Sequence, residues 1–250
     1  VSALVPLEWD SRLLGLSCAR LEFAEECGLG PRAVASAVGR AFAAGASAGV
    51  RAELVAAKIQ PEDCDVRMLS EEAPDRRIVA LGREWTFRSP AGAFAGPLPE
   101  NVAFARAANG GTDPVPFLPL AADMRHSRYY LDPDVGEDRA LAVWEASITG
   151  HCQGFAQEIA VASLGGRPAG LATIHLEDGA ARLHIVGVLG WARGRGVGAR
   201  LMRAVLARHG EARAVTVEAF AENQAAVGLY RAVGFSPVAE HVVLHFWRRG

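Results

Sequence analysis

Apolar and polar residues alternate over Ala19–Phe23, which predicts a strand, and the alanine-rich run from Pro31 to Ala46 predicts a helix with its proline in the first turn. Arg51–Ile59 predicts a second strand. Pro61–Glu72 opens on a proline followed by Glu62 and Asp63, the chemistry of a helix N-terminus, and Arg77–Arg88 returns to a strand pattern. Further on, helical patterns cover Leu120–Tyr130 and Glu137–Thr149. Ile159–Leu164 and Ala169–Leu176 form a predicted hairpin across Gly165-Gly166, and Glu177-Asp178-Gly179 turns into a strand over Arg182–Val188. A helix over Gly194–His209, a strand over Ala214–Ala219, a helix over Asn223–Val233 and a strand over Ala239–Trp247 complete the series. Hairpins followed by β-α-β-α-β predict an α/β fold with a mixed (α+β) sheet.

Between the two regular regions, Ser89–Pro119 carries Pro90, Pro97, Pro99, Pro114, Pro116 and Pro119 with Gly110-Gly111, and reads as a connector. The expected division is therefore a first domain at 1–105, a linker at 106–119 and a second domain at 120–250. Val55–Phe87 repeats the strand-helix-strand order of Val217–Arg249, as a degenerate copy would.

Composition removes several function classes. The 250 residues are 50% hydrophobic, enough for a substantial core, and the net charge of −2 offers no general attraction to nucleic acid or an anionic membrane. Cys18, Cys27, Cys64 and Cys152 are scattered without metal-ligand spacing, so reduced thiols and no metal are expected. Neither a signal-peptide pattern nor a bilayer-length apolar run is present in the residues given, which leads to the expectation of a cytoplasmic protein.

The chemistry concentrates late in the chain. Arg193-Gly194-Arg195-Gly196-Val197-Gly198 joins a strand to an apolar helix, and such a turn presents bare backbone N–H groups at a positive helix end, suited to a pyrophosphate. It lacks the acidic ribose ligand of a dinucleotide fold and the Gly-Lys-Ser/Thr ending of a P-loop. A turn that merely allows close helix packing is the competing reading. Gly187, between Val186 and Val188, marks a place for a bulge that would leave strand amides unpaired. Asn223 opens the next helix as a cap, and Tyr230 lies two turns in as a proton donor.

These two motifs, Val188–Gly198 and Asn223–Tyr230 with Gly234-Phe235, resemble those of the GNAT superfamily of N-acetyltransferases across residues 120–250. The resemblance implies a GNAT fold there and acetyl-CoA as co-substrate. The pyrophosphate would lie on Arg193, Gly194, Arg195, Gly196, Val197, Gly198 and Ala199, with Asn223 also in the cofactor and catalytic set. The backbone at Val186 and Val188 would pair with pantetheine and polarise the thioester. Tyr230 would protonate the departing thiolate.

A closer resemblance covers nearly the whole chain. Leu7-Glu8-Trp9-Asp10, Leu13-Leu14-Gly15, Ala57-Lys58-Ile59, His126-Ser127-Arg128-Tyr129, Trp144 and His245-Phe246-Trp247 are similar to the dTDP-fucosamine acetyltransferase family. That family pairs a smaller, partial GNAT-like domain with a complete one and acetylates a nucleotide-linked 4-amino sugar. Ala219-Phe220 depart from the Thr-Gln pair common before the equivalent asparagine.

An attacking amine must be neutral, so a base or a lowered pKa is required, and His184, Glu218 and His245 are the candidates. Arg125, Ser127, Arg128 and Tyr129 suit a phosphate and a base or sugar face, or else a solvated helix end. Acceptor and partner expectations are thus a dTDP-amino sugar, with no nucleic acid and no membrane, while a homodimer is left open. An aminoglycoside-like amine, or a non-catalytic acyl-CoA-binding tandem module, are the alternatives.

Overall fold

The computed structural model describes residues 3–23, 30–49, 52–90, 97–106, 109–210 and 212–249. Contacts divide the chain into two units, one of 1–84, 127–143 and 240–250, the other of 85–126 and 144–239. Segments of the two units interleave along the sequence, so this division differs from a cut at 106–119 in where 85–105, 127–143 and 240–250 belong. An ancestral duplication of the first region remains a proposal.

In the first unit the strand order is β1 (Ala3–Pro6), β2 (Cys18–Glu22), β3 (Leu54–Ile59), β10 (Ser236–Arg248, through residues 240–248) and β4 (Arg76–Pro90, through residues 76–84). β1 pairs antiparallel with β2, β2 parallel with β3, and β3 antiparallel with β10. β3 buries four consecutive residues, Leu54–Ala57, which only a strand covered on both faces can do. Helix α1 (Glu8–Leu14) ends at Gly15 in the left-handed conformation (φ +65°), while α2 (Pro31–Ser47) packs Val34 and Val38 into a core with Val55, Leu69, Leu244 and Phe246. The helix expected over Pro61–Glu72 is broken in two. Asp65 adopts an extended backbone and its carboxylate accepts from Arg67 N at 2.9 Å and Met68 N at 3.1 Å, capping α3 (Val66–Glu72). Pro61–Asp63 is left as a single tight 3₁₀ turn.

In the second unit the order is β4 (through residues 85–90), β9 (Ala214–Phe220), β8 (Ala180–Val188), β7 (Arg167–Glu177), β6 (Glu158–Leu164) and β5 (Val102–Arg106). The two tight turns behave as their residues predict, with Gly165, Gly166, Asp178 and Gly179 all at positive φ. Helices α6 (Val197–Arg208) and α7 (Gln224–Ala232) supply Leu201, Met202, Val205, Val227 and Tyr230 to a core that includes Phe87, Ile174 and Phe235.

Two expectations fail here. The supposed connector contains β5, an edge strand paired antiparallel with β6 from Val102↔Ala162 to Arg106↔Glu158. Its prolines lie outside those five residues, so the ladder needs no N–H that proline lacks. The helix expected over Leu120–Tyr130 is instead a 3₁₀ segment, Val115–Asp123, and a separate single turn α4 (Arg128–Leu131). Within Val115–Asp123, Pro119 has no N–H to donate to the carbonyl four residues back, so this segment does not wind as an α-helix. Helix α5 (Glu137–Gly150) runs into one wide π turn at His151–Phe155, closed by Gly154 at φ +127°. No helix among the described residues is long and apolar enough to cross a membrane.

Candidate functional site

The site begins where two neighbouring strands part. β8 pairs parallel with β9 at Ala181↔Val215, Arg182↔Thr216 and Leu183↔Val217, yet β8 runs on to Val188 and β9 to Phe220. The cause is a register shift on the other side of β8. Ala172↔Val186 is followed by Ile174↔Leu183, so His184 and Ile185 together face Thr173. Thr173, fully buried, accepts the Ile185 N–H on its Oγ1 at 3.0 Å. The bulge expected at Gly187 therefore lies two to three residues earlier. Gly187 has a different job: a Cβ there would come within 2.8 Å of Leu120 Cδ1, so its hydrogen lets the 3₁₀ segment cross β8.

Strand alternation then fixes the direction of the remaining amides. The N–H groups of Ile185 and Leu189 point towards β7, to Thr173 Oγ1 and to Ala169 O at 2.9 Å. Val186 and Val188 accordingly direct theirs to the opposite edge, the one β9 has left.

The glycine turn follows directly. Gly194 and Gly196 both sit at φ +72°, a conformation costly for other residues, and Gly196 is the N-cap of α6. Among the described residues no side chain caps the first amides of this helix. Arg193 is engaged within the fold: its Nε donates to Val188 O at 3.0 Å and its guanidinium pairs with Asp123 at 2.5 Å. This ties the turn to the end of β8. Arg195 is exposed, while Ala199 is half-buried in the first turn of α6. A Cβ on Gly198 would lie 3.2 Å from Leu229 and 3.5 Å from Val188, so the end of β8 and the two helices α6 and α7 meet at this glycine.

Asn223 caps α7, its Oδ1 accepting from Ala226 N at 3.2 Å. Tyr230 is 4% exposed, with ring centroids 5.6 Å from Phe87 and 6.0 Å from Phe235. Burial pushes its pKa up, so the hydroxyl keeps its proton at neutral pH.

The expected acceptor residues divide between the two units. Arg128 and Tyr129 belong to the first unit and are bound to Asp10: Arg128 donates to its carboxylate at 2.6 Å and the Tyr129 hydroxyl at 3.0 Å. Burial raises Tyr129 to about 12. His245, also in the first unit and wholly buried, places Nδ1 2.6 Å from Asp132, which accepts from Trp247 Nε1 at 2.8 Å. Burial lowers its pKa although Asp132 opposes this. The motifs at Asp10, Arg128-Tyr129 and His245–Trp247 thus contribute to two buried polar networks. Ser127 precedes α4 as its N-cap.

In the second unit Arg125 is exposed and donates to Ala122 O at 2.9 Å, and Glu218 pairs with Arg182 at 3.3 Å. His184 sits in the bulge with its ring against His175 and His151, and desolvation of that ring, with the two neighbouring imidazoles, lowers its pKa to about 4 although the residue as a whole is exposed. A group that weakly basic is poorly matched to take a proton near neutrality. Sequence reasoning missed Thr173, Asp123 and Leu120, which shape the bulge, anchor the turn and explain Gly187. Their contacts cross between elements, and no local spacing announces them.

With this geometry in place, residues 120–235, just under half of the chain, match the model of the Acetyltransferase (GNAT) family, and the mixed α/β sheet has the GNAT fold. No curated protein matches the chain. Solved structures share the architecture. A conserved protein of unknown function from Staphylococcus epidermidis ATCC 12228 aligns over 98% of this chain and 90% of its own, with a TM-score of 0.61 at 14% identity. A GCN5-related N-acetyltransferase from Sphaerobacter thermophilus aligns over 100% and 76%, with a TM-score of 0.58 at 17% identity. One from Kribbella flavida aligns over 94% and 82%, with a TM-score of 0.53 at 17% identity. Likeness at these identities speaks for the fold alone.

Proposed function

We propose that this chain transfers an acetyl group from acetyl-CoA directly to the nitrogen of a small-molecule amine. The observation that carries the reading is the divergence of β8 from β9 immediately before an uncapped helix N-terminus. A pantetheine-like arm needs a row of unpaired strand amides, and a diphosphate needs bare N–H groups at a positive helix end. Val186 and Val188 would serve the first, and Gly194 to Ala199 the second. Arg195 is free to approach the phosphates, whereas Arg193 would act by holding the turn.

Acetyl-CoA supplies the activated carbonyl. A neutral amine attacks it, the N–C bond forms and the C–S bond breaks. Tyr230, kept protonated by burial, gives its proton to the departing sulfur, and the amine proton leaves through ordered water. Asn223 contributes by fixing the first turn of α7, which carries Tyr230.

The finer proposal for the acceptor is a dTDP-linked amino-deoxy sugar. Its support is the similarity of the amino-terminal motifs, together with the exposed Arg125. An aminoglycoside-like amine is the competing acceptor. Thiol release from acetyl-CoA across dTDP-amino sugars, aminoglycosides and simple polyamines separates them, and activity confined to polyamines would defeat the sugar reading. For the transfer itself, Tyr230→Phe should lower kcat about 100-fold with little change in the KM for acetyl-CoA, as loss of a general acid does. Unchanged kcat would remove Tyr230 from the chemistry.

A further inference from the structure

Three histidines from separate elements converge in the second unit: His151 in the π turn after α5, His175 on β7 and His184 in the bulge of β8. Ring centroids are 4.1 Å apart for His175–His184, 5.2 Å for His151–His175 and 5.7 Å for His151–His184. One ring nitrogen from each lies within 4.8 Å of the other two.

Their hydrogen bonding is one-sided. His151 places Nδ1 2.7 Å from Ser147 O, and a carbonyl can only accept, so Nδ1 carries the hydrogen and Nε2 bears the lone pair. That Nε2 is buried with no hydrogen-bond partner among the described residues, and so is Nε2 of His175; both side chains belong to residues only 5% exposed. Buried polar atoms are rarely left unsatisfied, and two within one cluster call for a missing partner. A stack of rings accounts for the centroid distances but leaves both nitrogens unanswered. Imidazole held by a backbone carbonyl on one nitrogen and presenting the other is the arrangement of a metal-ligating histidine.

We propose that His151, His175 and His184 bind one divalent transition-metal ion of the zinc class, leaving one coordination position for water or an exogenous donor. Three imidazoles suit zinc, copper or nickel rather than magnesium or calcium, which take oxygen ligands. Zinc–nitrogen bonds of about 2.0–2.1 Å in a tetrahedron set the nitrogens about 3.4 Å apart. The cluster must therefore tighten, and His184, exposed and on a bulge, is the member with room to move. Phe155 lies over His151 at 4.9 Å and His175 at 5.2 Å and supplies an apolar wall. No zinc-like spacing appears in the sequence because the ligands come from a turn and two strands. This departs from the expectation of no metal, and it stands on these side chains independently of the acyl-transfer reading.

The test uses the full chain without a histidine tag, stripped by chelator and titrated with Zn²⁺ and, for its visible spectrum, Co²⁺. One equivalent per chain with the d–d bands of a four-coordinate Co²⁺ site is expected. His184→Ala changes an exposed residue and should leave the metal-free melting temperature near that of the parent while weakening affinity at least about 100-fold. His184→Cys, which keeps a ligand, should restore most of the lost affinity. Substoichiometric binding by the parent, equal affinity in His184→Ala, or a Cys variant no better than the Ala variant would each overturn the site.

Discussion

Glu158 offers the sharpest quantitative test, because a single buried carboxylate pins the C-terminal end of α6 to β6. It opens β6 and is 3% exposed. Arg208, the last residue of α6, meets it with two hydrogen bonds of 2.9 and 2.8 Å, and Arg106 on β5 adds a third at 2.9 Å. The hydrogen bonds from Arg208, with the one from Arg106, hold its pKa at about 2 against the opposing effect of burial, from an ordinary 4.5. A folded-state value below the unfolded one means stability that is present above the unfolded pKa and lost as pH falls through the folded value. The difference corresponds to about 3 kcal/mol at pH 7, falling to about 1.5 kcal/mol at pH 3. Glu158→Gln removes the charge while keeping the shape, so urea unfolding should show a deficit of up to about 3 kcal/mol at pH 7 that is halved at pH 3. A parent-minus-variant gap that stays constant between those pH values would refute the assignment of this stability to the ionised carboxylate.

Other consequences are equally open to measurement. Gly196→Ala forces an ordinary residue to φ +72° with open space around its Cβ, so the fold should lose about 1–2 kcal/mol. Its KM for acetyl-CoA should rise disproportionately, because the methyl stands where the diphosphate would approach; a KM equal to the parent's would remove the turn from the cofactor site. Asp132→Ala strands His245 Nδ1 and Trp247 Nε1 in the first unit, and chemical denaturation should register a loss of about 3 kcal/mol. A loss below about 1 kcal/mol would mean that the network contributes specificity rather than stability.

Much of this molecule was legible in the chain because its signals are local. Gly165-Gly166 and Asp178-Gly179 specify hairpin turns by conformational necessity, and Asn223 announces a helix start by its own side-chain geometry. The failures share a cause too. Asp65 outcompeted Pro61 as a helix start, since its carboxylate takes two amides at once. β5 was hidden by flanking prolines that never enter its ladder. Glycine is the visible mark of irregular strand and points to Gly187 for the bulge, whereas the determinant is the Thr173 hydroxyl on the neighbouring strand. Arg128, Tyr129 and His245 present polar groups that suit a ligand, but their partners, Asp10 and Asp132, lie 113 residues or more away in sequence, beyond the reach of any local spacing.

The gap between β8 and β9 has a meaning for selectivity of association as well. Outer strands of a sheet invite any passing polypeptide to dock, and proteins guard them for that reason. Here the parted rim lies inside the layer, between β8 and β9, and not at an outer edge of the sheet. An interior parting of this kind is bordered by strands on both sides, so it does not extend the sheet outwards as an unguarded edge strand would.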